Sequence, residues 1–159
     1  MPKVIETMTS TCRSNYRFWV PGKPFGKQRP RVCNGHAFTP QETVDYENLV
    51  RLCFRKKYPQ HIPADGQYMV CIIAIFPIPK SWSKKKRELA LKCEILPGKP
   101  DWDNIGKIIC DALNGVLYED DACVYGGCVF KRYGEREGVD VTVAQMRPEP
   151  VTYVKMEEK

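Results

Sequence analysis

After Asp103, the apolar residues Ile105, Ile108, Ile109, Ala112, Leu113 and Val116 recur at i, i+3, i+4, i+7, i+8 and i+11. This is the stripe of a helix that lays one face on a core. Asn114-Gly115 supplies its stop. A second stripe, Tyr46, Leu49, Val50, Cys53 and Phe54, follows Thr39-Pro40 and predicts a helix with Thr39 as N-cap and Pro40 at the first helical position, ending before Pro59. Tyr16 to Val20 reads as a strand closed by Pro21-Gly22, and Gln67 to Phe76, an almost unbroken apolar run, as a central strand covered on both faces. Val124 to Tyr133 and Val139 to Gln145, around the Gly134 to Gly138 connection, read as a hairpin. Gly22 to Pro40 is a long basic loop or hairpin. The Lys84 to Arg87 run, with Ser81 or Ser83 to cap it and Leu89 and Leu91 behind it, suggests a solvated helix with a weak buried face. Strands and helices are mixed rather than strictly alternating. The expected fold class is therefore α+β, a small mixed sheet packed with helices in one compact domain over residues 15–147, between loosely ordered tails at 1–14 and 148–159.

Composition changes this picture in three places. The 159 residues fit one domain, and the longest apolar run, Met69 to Phe76, is far short of a membrane span. No membrane partner is expected, and Met1 to Ser14, with Glu6 in it, lacks the features of a secretory signal. The eight cysteines, at positions 12, 33, 53, 71, 93, 110, 123 and 128, include no CxxC pair and several lie in apolar runs. We expect reduced thiols in a cytoplasmic protein without zinc or an organic cofactor. The net charge of +6 favours a polyanionic partner, and its distribution says more. Basic residues gather in Lys23 to Arg31 and Lys80 to Lys92, whereas carboxylates cluster from Asp101 to Asp121.

Within that acidic stretch, Lys99-Pro100-Asp101-Trp102-Asp103-Asn104 places two carboxylates two residues apart as a helix begins. On an extended approach they share one face and can address one metal position. The plainer reading makes Asp103 an N-cap and Asp101 a solvated neighbour. Three features favour the metal. Lys107 lies one helical turn beyond Asp103, although an ordinary i,i+4 ion pair has the same spacing. Asp120-Asp121 returns acidic charge after the helix. The helix rises about 16 Å from Asp103 to Asn114, and the following residues reach back about 20 Å if extended, enough to close the cluster. Finally, carboxylates crowded together in a basic chain are costly unless a cation lies between them. His36 and His61, in expected loops, read as surface residues rather than a nuclease base.

The run Lys-Pro-Asp-Trp-Asp-Asn-Ile-Gly-Lys at 99–107, followed by Asp-Ala-Leu-Asn-Gly at 111–115 and Tyr-Glu-Asp-Asp at 118–121, closely resembles the signature of RusA-type Holliday junction resolvases. Pro21-Gly22-Lys23-Pro24, Lys27 to Arg31 and Phe38-Thr39-Pro40 resemble the basic N-terminal motif of phage and Bacillus-type members, so the likeness spans roughly residues 16–145. It implies a crossover junction endodeoxyribonuclease in which Asp101, Asp103 and Asp121 bind Mg²⁺, or Mn²⁺ in its place, with Lys107 as the functional lysine. One or two metals are both compatible with the motif. The resemblance also implies a homodimer acting on branched DNA, the four-way junction, by paired nicks in recombination and repair. Lys27, Arg29, Arg31 and Lys99 are expected to contact DNA phosphates. Phe25 either inserts at an unstacked junction or packs in its loop, and the Lys84 to Arg87 run either contacts flanking DNA or is simply solvated. Cys123 stands where many members carry glutamine. Two other functions fit the same residues: a less selective fork or flap nuclease, and a catalytically silent DNA-binding protein.

Overall fold

The computed structural model describes residues 12–146. In chain order these are β1 (Cys12–Pro21), β2 (Arg31–Cys33), β3 (His36–Phe38), α1 (Gln41–Lys57), β4 (Gln67–Pro77), α2 (Lys84–Leu91), α3 (Trp102–Leu113), a 3-10 turn (Asp121–Cys123), β5 (Val124–Gly134) and β6 (Gly138–Met146). The expected tails fall outside the described residues except at 12–14, which already belong to β1, so the first strand starts earlier than residue 15. The α+β class holds. A four-stranded sheet in the order β1-β6-β4-β5 carries the helices on one face, and β2 and β3 form a separate ribbon.

α3 lies on this sheet as its stripe predicts: Ile105, Ile108, Ile109, Ala112 and Leu113 are all buried. They meet Phe54 and Val50 of α1, Val70 and Ile72 of β4, and Val141 and Val143 of β6 in one core. Each buried Ile, Leu, Val or Phe side chain contributes on the order of 1.5–3 kcal/mol by leaving water. α1 begins at Gln41, one residue later than expected. Pro40, not Thr39, occupies the cap position, and no side chain caps the helix. Pro40 still serves the helix start, because its fixed φ of −55° suits the approach and its carbonyl accepts from the amides of Thr43 and Val44. Ser83 caps α2, accepting from the Lys86 amide at 3.3 Å.

Two expectations about the sheet are corrected. β4 is interior, but only Tyr68, Val70, Ile72, Ala74 and Phe76 are buried, while Met69, Cys71, Ile73 and Ile75 on the other face are half-buried. Its unbroken apolar run reflects apolar residues on a partly open face, not two covered faces. The last two strands also do not form a hairpin. β5 pairs in parallel with β4, and β6 inserts between β4 and β1, antiparallel to both. The short connection from Gly134 to Gly138 therefore crosses the end of β4, where Pro77 and Pro79 have ended the strand. Glycine is required on both sides of that crossing. A Cβ on Gly138 would lie 2.0 Å from Trp19 Cζ2, and one on Gly134 would lie 2.5 Å from Ile75 Cγ2. No described helix is long and apolar enough to cross a membrane.

Candidate active site along helix α3

α3 starts at Trp102, so Asp101 and Asp103 do not lie on an extended approach and the i, i+2 argument does not apply. The helix N-terminus is what brings them near each other. Asp101 occupies the cap position with extended backbone (φ −69°, ψ 152°), yet its carboxylate makes no cap hydrogen bond. It accepts from Lys99 Nζ at 2.6 Å. That hydrogen bond, with the charges of Lys99 and Lys131, holds the Asp101 carboxyl below the usual carboxylate range. Lys131 reaches from β5 under the approach to the helix, donating to the Gly98 carbonyl and, at 3.0 Å, to that of Pro100. Asp103 is exposed in the first turn, where partial positive charge at the helix N-terminus favours an anion. Lys107, one turn on, is exposed too, and neither side chain has an ion-pair partner among the described residues. The i,i+4 bridge weighed for this pair is not formed.

At the other end of α3 the carboxylates are packed together. Lys27 Nζ bridges Glu47 Oε1 of α1 at 2.5 Å and Asp111 Oδ2 of α3 at 2.8 Å. Burial works against the Lys27 charge, but the two carboxylates outweigh it and its pKa is raised. Arg51 extends the network, donating to the Ala112 carbonyl at 3.0 Å and lying 3.6 Å from Glu47 Oε2. Asp121 is placed beside this group. Its pKa is raised, by partial desolvation and then by the charges of Asp120 and Asp111. Cys123 donates its thiol to Asp65 Oδ1 at 3.3 Å.

The expected closure of Asp121 onto Asp101 and Asp103 is absent from this arrangement. Val116, Leu117 and Tyr118 are buried, Gly115 N donates to the Tyr118 carbonyl at 2.8 Å, and Tyr118 donates its hydroxyl to the Cys110 carbonyl at 2.9 Å. The reach counted on for the return is thereby spent in the core. Among the described residues no three His, Cys, Asp or Glu side chains are grouped to hold one ion. The donor chemistry nonetheless suits a hard divalent cation. Mg²⁺ is commonly held by one or two carboxylates, with water and substrate phosphate completing its shell, and either end of α3 offers two.

The remaining expected site residues separate into two groups. Arg29 and Arg31 are exposed and have no ion pair among the described residues. Arg31 lies on the β2–β3 ribbon, turned at Asn34 (φ 50°) and Gly35 (φ 77°), with all six strand residues exposed. Lys99 and Lys27 are already paired with carboxylates. Phe25 is half-buried against Tyr46, ring centroids 5.6 Å apart, which is the packed reading. Lys84 to Arg87 are exposed on α2, with Lys86 Nζ 4.1 Å from the centre of the Trp82 ring. His36 is exposed, but His61 corrects its surface reading: it stacks edge-on against Tyr16 and bonds the Leu117 carbonyl at 2.7 Å.

Sequence reasoning passed over Glu47 and Lys131. Glu47 had a visible signal, because it occupies a core-facing position in the α1 series Thr43, Tyr46, Val50 and Phe54. A carboxylate there requires a cation.

Comparison with known proteins bears on this helix and its surroundings. The chain is 35% identical over 137 residues to the uncharacterized protein YqaN of Bacillus subtilis (strain 168), an alignment covering 82% of this chain and 96% of that one. Residues 21–144, from the end of β1 through most of β6, match the family described as endodeoxyribonuclease RusA. With most of the chain matched, and α3 at its centre, the protein belongs to the RusA endodeoxyribonuclease family.

Proposed function

We propose that this endodeoxyribonuclease is a Mg²⁺-dependent, structure-specific enzyme that resolves four-way DNA junctions by paired symmetric nicks, as a homodimer. The observation that carries the reading is the outward side of α3. Asp103, Lys107 and Asp111 follow one another at i, i+4 and i+8, flanked by Asp101 and Asp121, with exposed cations at Lys23 and Lys99 beside Asp101 and at Arg29 and Arg31 farther along the basic stretch. A basic surround captures the phosphate backbone in a salt-dependent way, while carboxylates within it would repel that backbone unless a cation intervened.

Asp101, Asp103 and Asp121 are the carboxylates that would hold divalent ions, Mg²⁺ or Mn²⁺, the first two at the start of α3 and Asp121 beside Asp111 farther along it, with water and substrate phosphate completing each shell. When bound, such an ion activates water and neutralises charge on the scissile phosphate. Lys107, exposed and unpaired between the carboxylates, is available to stabilise negative charge developing on phosphate oxygens. Arg29 and Arg31 bind flanking phosphates without reading sequence, and Lys99 exchanges Asp101 for phosphate when DNA arrives. Lys27, held by two carboxylates, braces the site instead. A two-fold dimer presents two such sites to strands of like polarity, which paired nicking requires.

The test is cleavage of a synthetic mobile four-way junction beside forked, flapped and linear duplex DNA, with and without Mg²⁺. Symmetric metal-dependent nicks confined to the junction are expected, and Asp103→Asn abolishes them. Equal cleavage of forks and flaps replaces resolution with a broader nuclease. Tight junction binding without nicks overturns the enzymatic reading.

A further inference from the structure

Beside Asp101 the structure holds a cavity of about 610 Å³, between the Pro24–Gln28 loop and the start of α3. That volume lies within the range of roughly 300–1,000 Å³ typical of sites for small organic ligands. Three rings form its apolar walls: Pro24, Phe25 and Pro100. Gln28 and Asn104 add side-chain amides, and the Asn104 amide has no hydrogen-bond partner among the described residues. Lys23 and Lys99 are exposed at its margin.

The walls are fixed before any ligand arrives. Lys27 N donates to the Asn104 carbonyl at 2.9 Å, and its ammonium is anchored at Glu47 and Asp111. Gly26 lies so close to α3 that a Cβ there would be 2.6 Å from Pro100 Cβ and 3.2 Å from Asn104 Cβ. The loop is therefore seated on the helix and keeps the cavity open.

We infer that this cavity seats one unstacked nucleotide of the DNA substrate, next to the phosphate addressed at Asp101. Flat rings suit a base face, the unpartnered Asn104 amide and the Gln28 Oε1, buried without a partner among the described residues while its Nε2 donates to Glu42, suit a base edge, and the two lysines suit the flanking phosphates. A base held in a stacked duplex has neither its faces nor its pairing edge free for these walls, whereas a base already freed at a branch point enters at little cost. The inference rests on the endonuclease reading for its location, and it assigns a specificity role to Asn104.

It is tested on the full-length protein with a mobile four-way junction carrying 2-aminopurine at each nucleotide flanking the mapped cleavage site. Ca²⁺ replaces Mg²⁺ for the binding measurement. Unstacking raises 2-aminopurine fluorescence, and a rise of about threefold at one flanking position is expected. In Mg²⁺, Asn104→Ala is expected to flatten the preference among cleavage dinucleotides by about tenfold, the scale of one lost base-edge contact. That preference is a ratio within each protein, so overall rate does not enter it. Cleavage by the wild type with no fluorescence rise at any position overturns the pocket and leaves the nuclease. A rise without cleavage keeps the pocket and overturns the nuclease, and neither signal overturns both. A cleavage preference unchanged in folded Asn104→Ala removes Asn104 from the reading. Should that variant fail to fold, the wild-type fluorescence decides.

Discussion

The two ends of α3 carry the same kind of side chain in opposite electrostatic states. At the N-terminal end Asp101 is solvent-facing, bonded to Lys99 and drawn below the ordinary carboxylate range. At the C-terminal end Asp121 lies beside Asp111 and Asp120 and is pushed above it. Lys27 does not reverse that, because its ammonium is divided between Glu47 and Asp111. What differs is the neighbour each carboxylate has been given, and the lesson is that charge compensation here is local. Asp101 is balanced by the protein's own cations, while Asp121 lies in an excess of negative charge that a bound cation would relieve.

The largest expected effect separates chemistry from stability. Asp103→Asn should lower metal-dependent junction cleavage by at least about 100-fold, roughly 2.7 kcal/mol in the barrier, with an unchanged unfolding midpoint. A similar loss of stability would show that Asp103 serves the helix start instead. Next comes Lys27→Met, which leaves Asp111 without its cation and Glu47 with only Arg51 at 3.6 Å, and should cost about 2 kcal/mol in denaturant unfolding. The folded pKa of Lys27 is raised, so its contribution is complete below about pH 10.4 and is lost as pH rises through the folded value. The gap between wild type and variant should accordingly narrow only in strong alkali. Adding Asp111→Asn should recover part of the loss, and strict additivity in that double-mutant cycle would refute the coupling.

A smaller effect of opposite sign is expected at Asp121. Its raised pKa means the folded chain holds that proton more tightly than the unfolded chain, so stability falls as pH climbs from about 3.9 through the folded value. Asp121→Asn should therefore gain a few tenths of a kcal/mol at neutral pH while losing cleavage. A loss of stability there would break the contrast between the two ends. The smallest effect is at Lys99→Ala: NMR titration should show the Asp101 pKa returning upward, with no measurable change in folding.

Legibility followed the range of the interactions involved. α3 could be read because its stripe needs nothing beyond its own twelve residues and one apolar face. Gly22 to Pro40 could be read only as a loop or hairpin, and the structure makes part of it the β2–β3 ribbon, turned at Asn34-Gly35 and standing apart from the main sheet. The hairpin reading of β5 and β6 failed because turn residues announce a reversal without saying which strand lies alongside. Here the reversal crosses β4. The site divided in the same way. Asp101, Asp103 and Lys107 were visible as one short run, whereas the bracing role of Lys27 depends on Glu47 and Asp111, carried by two different helices. Where Asp121 lands could not be read because counting residues gives only a maximum reach, and buried Val116, Leu117 and Tyr118 take up part of it.

The position of β6 also governs the order in which this protein can come into being. β1 emerges first from the ribosome, yet its sheet partner is β6, with Tyr16 paired to Val143 and Val20 to Val139. Until Gly138–Met146 has been synthesised, β1 has no neighbour and β4 keeps one open edge. The nascent chain must carry two unsatisfied strand edges through most of its translation. Closure of the sheet is thus a late, long-range event, slow for its size and exposed to mispairing while it waits. A chain lacking residues 138–146 would carry all of α3 and its acidic residues on an unfinished sheet.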